Sequence, residues 1–392
     1  MPPALRIAFL VVFASTLFTR AVDPVVPKIA HDLNIDVGTA ALLSTAFTFP
    51  YAFAQPVLGT IGDFFGKTRL MNLSLAVVVT TTLVCAFAGN FSVLVAMRII
   101  AGILAGGIYP VGVAMIGDLV PEVHARQVAI GQLLAVALTG NLIGATASGV
   151  IGDLFGWRGV FFSIGAFGLV VAVIAFLAFR GLPAAKPKPL NLAAVAAGFR
   201  SVFADPRAKI CFGSVFFEGI VIHGMFPYVA LLLLTAGQTH SSIAGLVIGG
   251  FGLGGILYSL AVPVVILHMT ERQLILIGAG LACAAFIAIA LNPIWYVLAA
   301  VFVGFGIGFY MLHTCIQLHA TELTHTARGT ALSMHSCAFF SGQALGPIYY
   351  GFAFAHAGTS KPMFLGAAVI LAVGLVCARY LKHRRQMNLR GV

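Results

Sequence analysis

Twelve apolar runs, each long enough to cross a lipid bilayer, follow one another along this chain with only short polar breaks between them. A spanning helix needs about 20 mainly apolar residues. The runs are read as spans 1 to 6 at 5–27, 38–59, 70–89, 92–117, 127–151 and 159–180. Spans 7 to 12 are read at 208–235, 243–267, 273–291, 295–319, 329–355 and 362–381. They use nearly all of the 392 residues, which leaves no length for a soluble catalytic domain. Only 8% of the residues are charged, against about a quarter in a soluble domain, so the chain cannot wet its own surface and must sit in lipid. The runs are apolar on all sides rather than alternating, which predicts helices and not barrel strands. The first run is followed by Arg20 and Asp23 and is read as a retained spanning helix.

The formal charge of +11 is explained by topology and not by a nucleic-acid partner. Of 22 Lys and Arg, 17 fall on the side of the N-terminus, four (Arg20, Lys28, Arg158, Lys361) on the other, and Arg98 lies within a span. This bias places both termini in the cytoplasm of an inner-membrane protein. The longest polar break, rich in Pro and Lys, separates the spans six and six. The expected organisation is a six-helix bundle over 1–180, a cytoplasmic linker over 181–207, a second six-helix bundle over 208–381 and a basic tail over 382–392. The halves repeat: Arg126, Gly140, Gly144 and Gly149 recur as Arg328, Gly342, Gly346 and Gly351, all at one offset of 202 residues. Two similar halves related by an axis along the membrane normal place a substrate site between them at mid-membrane.

Between spans 2 and 3 the chain reads G-x-x-x-D-x-x-G-K-x-R, with Gly59, Asp63, Gly66, Lys67 and Arg69. The glycines allow a tight turn, and Asp63 can meet the positive end of a helix. Lys67 and Arg69 can reach Asp118 at the end of span 4. This stretch resembles the signature loop of the major facilitator superfamily. Span 4 carries Arg98 and Gly102, similar to the arginine motif of proton-coupled members, although Ala101 stands where the family often has Gln. Span 5 carries Gly140, Gly144, Gly149 and Gly152 and resembles the antiporter motif, with Ala145 in place of the family's proline. Asp153, Gly156, Trp157 and Arg158 match the family's usual exit from that helix. The resemblance covers the whole chain and points to the twelve-span drug:proton antiporter group. It implies an all-α two-bundle fold, alternating access, and a gating role for the loop of Gly59, Asp63, Gly66, Lys67, Arg69 and Asp118.

Charge inside the bilayer costs several kcal/mol and marks function. Glu218, about eleven residues into span 7, is the one acid deep within a span. It is the leading candidate for proton coupling, with Asp23 second. Asp23 and Arg20 share a helix face and Arg98 lies at similar depth, so an ion pair of Asp23 with Arg98 or Arg20 is expected. Tyr310, His313 and Gln317 follow helical spacing on one face. With Tyr51, Gln55, Tyr109, His223 and His335 they are read as lining a substrate cavity.

No cofactor is expected, since the chain has no nucleotide-binding phosphate loop. No metal is expected either: His313 and Cys315, like His335 and Cys337, are two apart on a helix and diverge by about 200°. The six cysteines follow no disulfide or metal spacing. No nucleophile–base constellation suggests an enzyme. The reading is proton-coupled efflux of small apolar or cationic molecules by a monomer whose partners are substrate, protons and lipid. The alternatives are uptake or exchange of a small organic anion held by Arg20, Arg98 and His313, and a membrane sensor that transports nothing.

Overall fold

The computed structural model describes residues 2–180, 192–324 and 327–381. Residues 181–191, the first part of the expected linker, and the expected tail 382–392 lie outside them. The first half is built from α1 (Pro3–Arg20), a 3-10 turn (Asp23–Val25), α2 (Val26–Asp32), α3 (Val37–Phe65), α4 (Lys67–Ala86), α5 (Phe91–Leu119) and α6 (Val123–Arg180). Then follow α7 (Leu192–Phe203), α8 (Arg207–Val221), a second 3-10 turn (His223–Tyr228) and α9 (Val229–Thr235). The chain ends in α10 (Ser241–His268), α11 (Glu271–Ala290), α12 (Trp295–Glu322), α13 (Arg328–Ala357) and α14 (Ser360–Tyr380). No strand occurs among the described residues.

The twelve crossings map onto these helices. α6 is two crossings fused at Gly156, whose φ of 68° lies in the left-handed region that favours glycine. The helix starts follow local chemistry. Asp36 caps α3 through Thr39 N, and Asn90 caps α5 through Val93 N. Thr270 and Gln273 form a reciprocal capping box on α11. α13 has the length of a crossing but is not among the ten helices apolar enough to be recognised as spans by composition. It carries His335, Gln343 and several Ser and Tyr residues.

Spans 1 and 7 are not the continuous helices their sequences suggest. Each breaks at a 3-10 turn that contains a proline, Pro24 in one and Pro227 in the other. Proline lacks the N–H that a continuing α-helix needs. The two breaks occupy equivalent places in the two halves, and each positions a polar residue inside the membrane: Asp23 and His223.

Packing repeats the same way. α1 packs on α6 and α3 on α5, and α8 packs on α13 and α10 on α12 in parallel. The repeated glycines explain the tight seams. A Cβ on Gly144 would strike the Leu17 backbone of α1, and one on Gly346 would strike the Ile220 and Gly224 backbone. The halves meet along two seams, α3 on α13 and α6 on α10. At the second seam a Cβ on Gly149 would collide with Ser241 of α10, so only glycine permits this approach.

Candidate functional site

With an even number of crossings, both chain ends lie on one side, called here the terminal side. On the far side the halves are joined, beside a surface cavity of about 510 Å³ that Lys28, Asp32, Trp157 and His240 border. Asp153, at the far end of the first crossing of α6, accepts the backbone N–H of Ser241 at 2.8 Å and of Ser242 at 2.9 Å. It therefore caps α10 of the other half. Lys28 Nζ reaches Asp153 Oδ1 at 2.8 Å and Gly152 O at 2.8 Å. Deeper in the other seam, Thr45 donates to Ala344 O at 2.7 Å.

The terminal side is open. A cavity of about 710 Å³ lies between the halves, with Gln55 and Tyr109 on one wall and Gln317, Thr314, Ser333 and Ser336 on the other. At its mouth Lys67 Nζ lies 2.5 Å from Asp118 Oδ2 and 3.3 Å from Ala114 O, which ties the start of α4 to the end of α5. The Asp63 side chain lies outside the described residues. Gly66, at φ 98°, makes the reversal between α3 and α4, and Gly59 borders the cavity.

Above the cavity, near mid-depth, stands a buried cluster. Glu218 on α8 is fully buried. Its Oε2 lies 2.8 Å from His313 Nδ1 on α12, while its Oε1 has no hydrogen-bond partner. Two proton arrangements satisfy the contact: a neutral imidazole donating to the carboxylate, or the carboxylic acid donating to Nδ1. The His313 ring stacks on Phe309 at 4.8 Å and meets His335 at 5.0 Å. His335 Nε2 has no partner either. His223 sits in an aromatic cage of Phe226, Phe251, Phe309 and Phe339, with ring centroids at 4.8 to 5.2 Å.

Across the seam lies the first half's charge network. Arg20 Nη1 donates to Asp23 Oδ2 at 3.2 Å, and Ser44 donates to Asp23 Oδ1 at 2.8 Å. The Arg20 guanidinium also lies over the Phe226 ring at 4.5 Å, a cation–π contact between the halves.

Three expectations need correction. The Asp23–Arg98 ion pair does not form. Arg98 instead donates to Phe18 O at 3.2 Å and Leu43 O at 3.3 Å and lies over the Phe47 ring at 4.2 Å, while Arg20, one helical turn from Asp23, takes the carboxylate. Asp23, expected nearer water than Glu218 because it lies toward the end of its span, is only 1% exposed. The polar faces do not line a single cavity. Gln55, Tyr109 and Gln317 border the large one, and His223 and Tyr310 border a separate chamber of about 40 Å³. Tyr51, His313 and His335 border neither. Tyr51 packs edge-on against Phe340 of the other half at 4.8 Å.

Sequence reasoning placed Lys28 on the far side but gave neither it nor Asp153 a part in joining the halves there. The D-x-x-G-W-R pattern at Asp153 was the available signal. It also missed His313 as the partner of Glu218, because a contact between α8 and α12 leaves no trace in sequence spacing.

Two bundles of six crossings, a seam joined at one end and a cavity open at the other define a two-bundle membrane transporter. The chain belongs to the Major Facilitator Superfamily, whose family model matches residues 8–347 and 236–391. It is similar to the MFS-type transporter YfhI of Bacillus subtilis, 26% identical over 367 residues that cover 92% of this chain and 89% of the relative. It is also similar to the quinolone resistance protein NorA of Staphylococcus aureus, 24% identical over 388 residues and 96% of each chain. Among solved structures, a D-xylose–proton symporter matches with a TM-score of 0.77 at 16% identity, covering 96% of this chain and 97% of that one. A bacterial homologue of the human lysosomal transporter Spinster, in an inward-facing conformation, matches with a TM-score of 0.72 at 19% identity, covering 96% and 95%. These two likenesses concern the fold.

Proposed function

We propose that this transporter exports small apolar or cationic molecules in exchange for protons, and that Glu218 carries the coupling proton. The observation that carries this reading is the Glu218 carboxylate. It is fully buried near mid-membrane, with one oxygen shared with a histidine and the other without a partner. An ionised carboxylate in such a place is costly, so the group favours a bound proton or a cationic partner over a bare charge. As the halves rock, a group at mid-depth in one half can be opened to each side in turn. A proton and a cationic substrate then compete for one site, which is sufficient for antiport.

Likeness to the quinolone resistance protein NorA supports the efflux direction. The positive charge bias supports a cytoplasmic terminal side in an inner membrane, so that the open cavity of about 710 Å³ faces inward. Reporter fusions at Arg180 and at the C-terminus test this orientation; both should report cytoplasm. The anion alternative loses support at Arg20, which is committed to Asp23, and at His313, which is committed to Glu218.

The test is flux in proteoliposomes carrying wild type or Glu218→Gln. The variant should fail to concentrate substrate on a proton gradient while still exchanging it downhill. If it still concentrates substrate, Glu218 is not the coupling group.

A further inference from the structure

The small chamber of about 40 Å³ borders Arg20, Asn141, His223 and Tyr310. Asn141 Oδ1 and His223 Nδ1 are both buried there without a hydrogen-bond partner. Unmade hydrogen bonds of this kind cost about 1–3 kcal/mol each, so the chamber is polarised toward a ligand with a hydrogen-bonding end. Asn141 Oδ1 is an acceptor and calls for a donor. The Arg20–Asp23 pair leaves the wall without net charge on that side.

A second cavity of about 690 Å³ opens on the lipid-facing surface where α6, α10 and α12 meet. It spans Leu142 to Val150 on α6, the first turns of α10 and the start of α12, which sets it in the far half of the bilayer. Its rim residues Ile143, Val150, Leu246 and Leu253 are 43–47% exposed. The hydroxyl of Thr146 within it is turned onto Leu142 O at 3.0 Å, so the crevice offers an apolar surface. A groove of this kind on a membrane-spanning surface takes its contents from lipid.

The two spaces share one wall residue, Leu142. Its side chain lies against the bare backbone of α10: a Cβ on Gly249 would meet Leu142 Cδ1 at 3.1 Å, and one on Gly252 would meet Leu142 Cβ at 3.1 Å. Leu142 therefore stands between the two spaces, packed against α10.

We propose that the α6–α10 seam is a lateral portal between the far leaflet and the central chamber, gated by Leu142. Its ligand is an amphiphile whose compact donor end (hydroxyl, amide or amine) sits against Asn141 and His223 while its apolar body lies in the crevice. On the far side Asp153 holds the halves together through Ser241 and Ser242, so an amphiphile can leave into lipid without these contacts parting. This deepens the export reading and rests on it for direction, whereas the site itself does not depend on proton coupling.

The experiment uses the full chain in nanodiscs and a long-chain alkylamine with a terminal diazirine. Irradiation should place adducts on α6 between 142 and 150 and on the first turns of α10, displaced by excess decylamine. Leu142→Trp closes the passage, and Ala300→Trp independently fills the crevice mouth. Each should lower competed labelling by about tenfold, equivalent to about 1.4 kcal/mol of binding. Asn141→Leu should weaken it without changing where the adducts fall. Uniform labelling of all lipid-facing helices, no displacement by decylamine, or labelling unchanged in both tryptophan variants would overturn the portal. Flux of the same amine in proteoliposomes separates the two claims. Competed labelling at the crevice without gradient-driven flux in the wild type would sink the coupling reading and leave the portal standing.

Discussion

Asp23 and Glu218 are both buried acids in a lipid-spanning bundle, yet their surroundings differ at each oxygen. Asp23 gives one oxygen to Arg20 and the other to Ser44, and the arginine is stacked on a phenyl ring of the opposite half. Glu218 shares one oxygen with a histidine that is itself able to gain or lose a proton, and its other oxygen has no partner. The first arrangement neutralises a charge permanently and joins two elements. The second leaves the charge state open. Burial alone therefore does not mark a coupling group. What distinguishes Glu218 is the absence of a fixed countercharge.

The largest effect that would break this comparison is on stability. Arg20→Ala leaves the Asp23 carboxylate buried without its partner, which costs about 3–5 kcal/mol. Thermal unfolding in detergent should drop steeply, and the double change Arg20→Met with Asp23→Leu should recover most of it. Glu218→Gln, by contrast, should leave unfolding close to wild type, because glutamine keeps the shape and can still bond to His313. Equal destabilisation by both single changes would erase the distinction.

A smaller effect is expected at the far closure. Asp153→Asn weakens the cap on α10 and removes the pairing with Lys28, a loss of about 1 kcal/mol. That shifts the balance between conformations several-fold toward far-side opening, read as faster labelling of a cysteine placed in the α6–α10 seam. The smallest effect belongs to the Lys67–Asp118 contact, where Asp118 is 46% exposed. Lys67→Ala should change stability by about 0.2–1 kcal/mol, and its effect should shrink as salt is raised.

Much of the fold was legible because a membrane permits few solutions. Run length gave twelve crossings, and the offset of 202 residues between Gly144 and Gly346 reported a repeat whose glycines seat equivalent helices in both halves. The breaks at Pro24 and Pro227 were hidden because each falls inside a run long enough to be read as one continuous crossing. At the site, Glu218 could be picked out by the cost of its charge. Its partner could not, since His313 lies 95 residues away and meets it only through the packing of α8, α12 and α13. Arg98 misled for the converse reason. A buried arginine needs acceptors, and here the carbonyls of Phe18 and Leu43 take Nη1 and Nε while Nη2 is left without a partner.

The central claim is that Glu218 exchanges a proton for substrate. The direct measurement is calorimetry of substrate binding in two buffers of different ionisation enthalpy, with wild type and Glu218→Gln. Wild type should release about one proton for each substrate bound, and the variant none. Equal proton release from both proteins would contradict the account and move the coupling proton to another group.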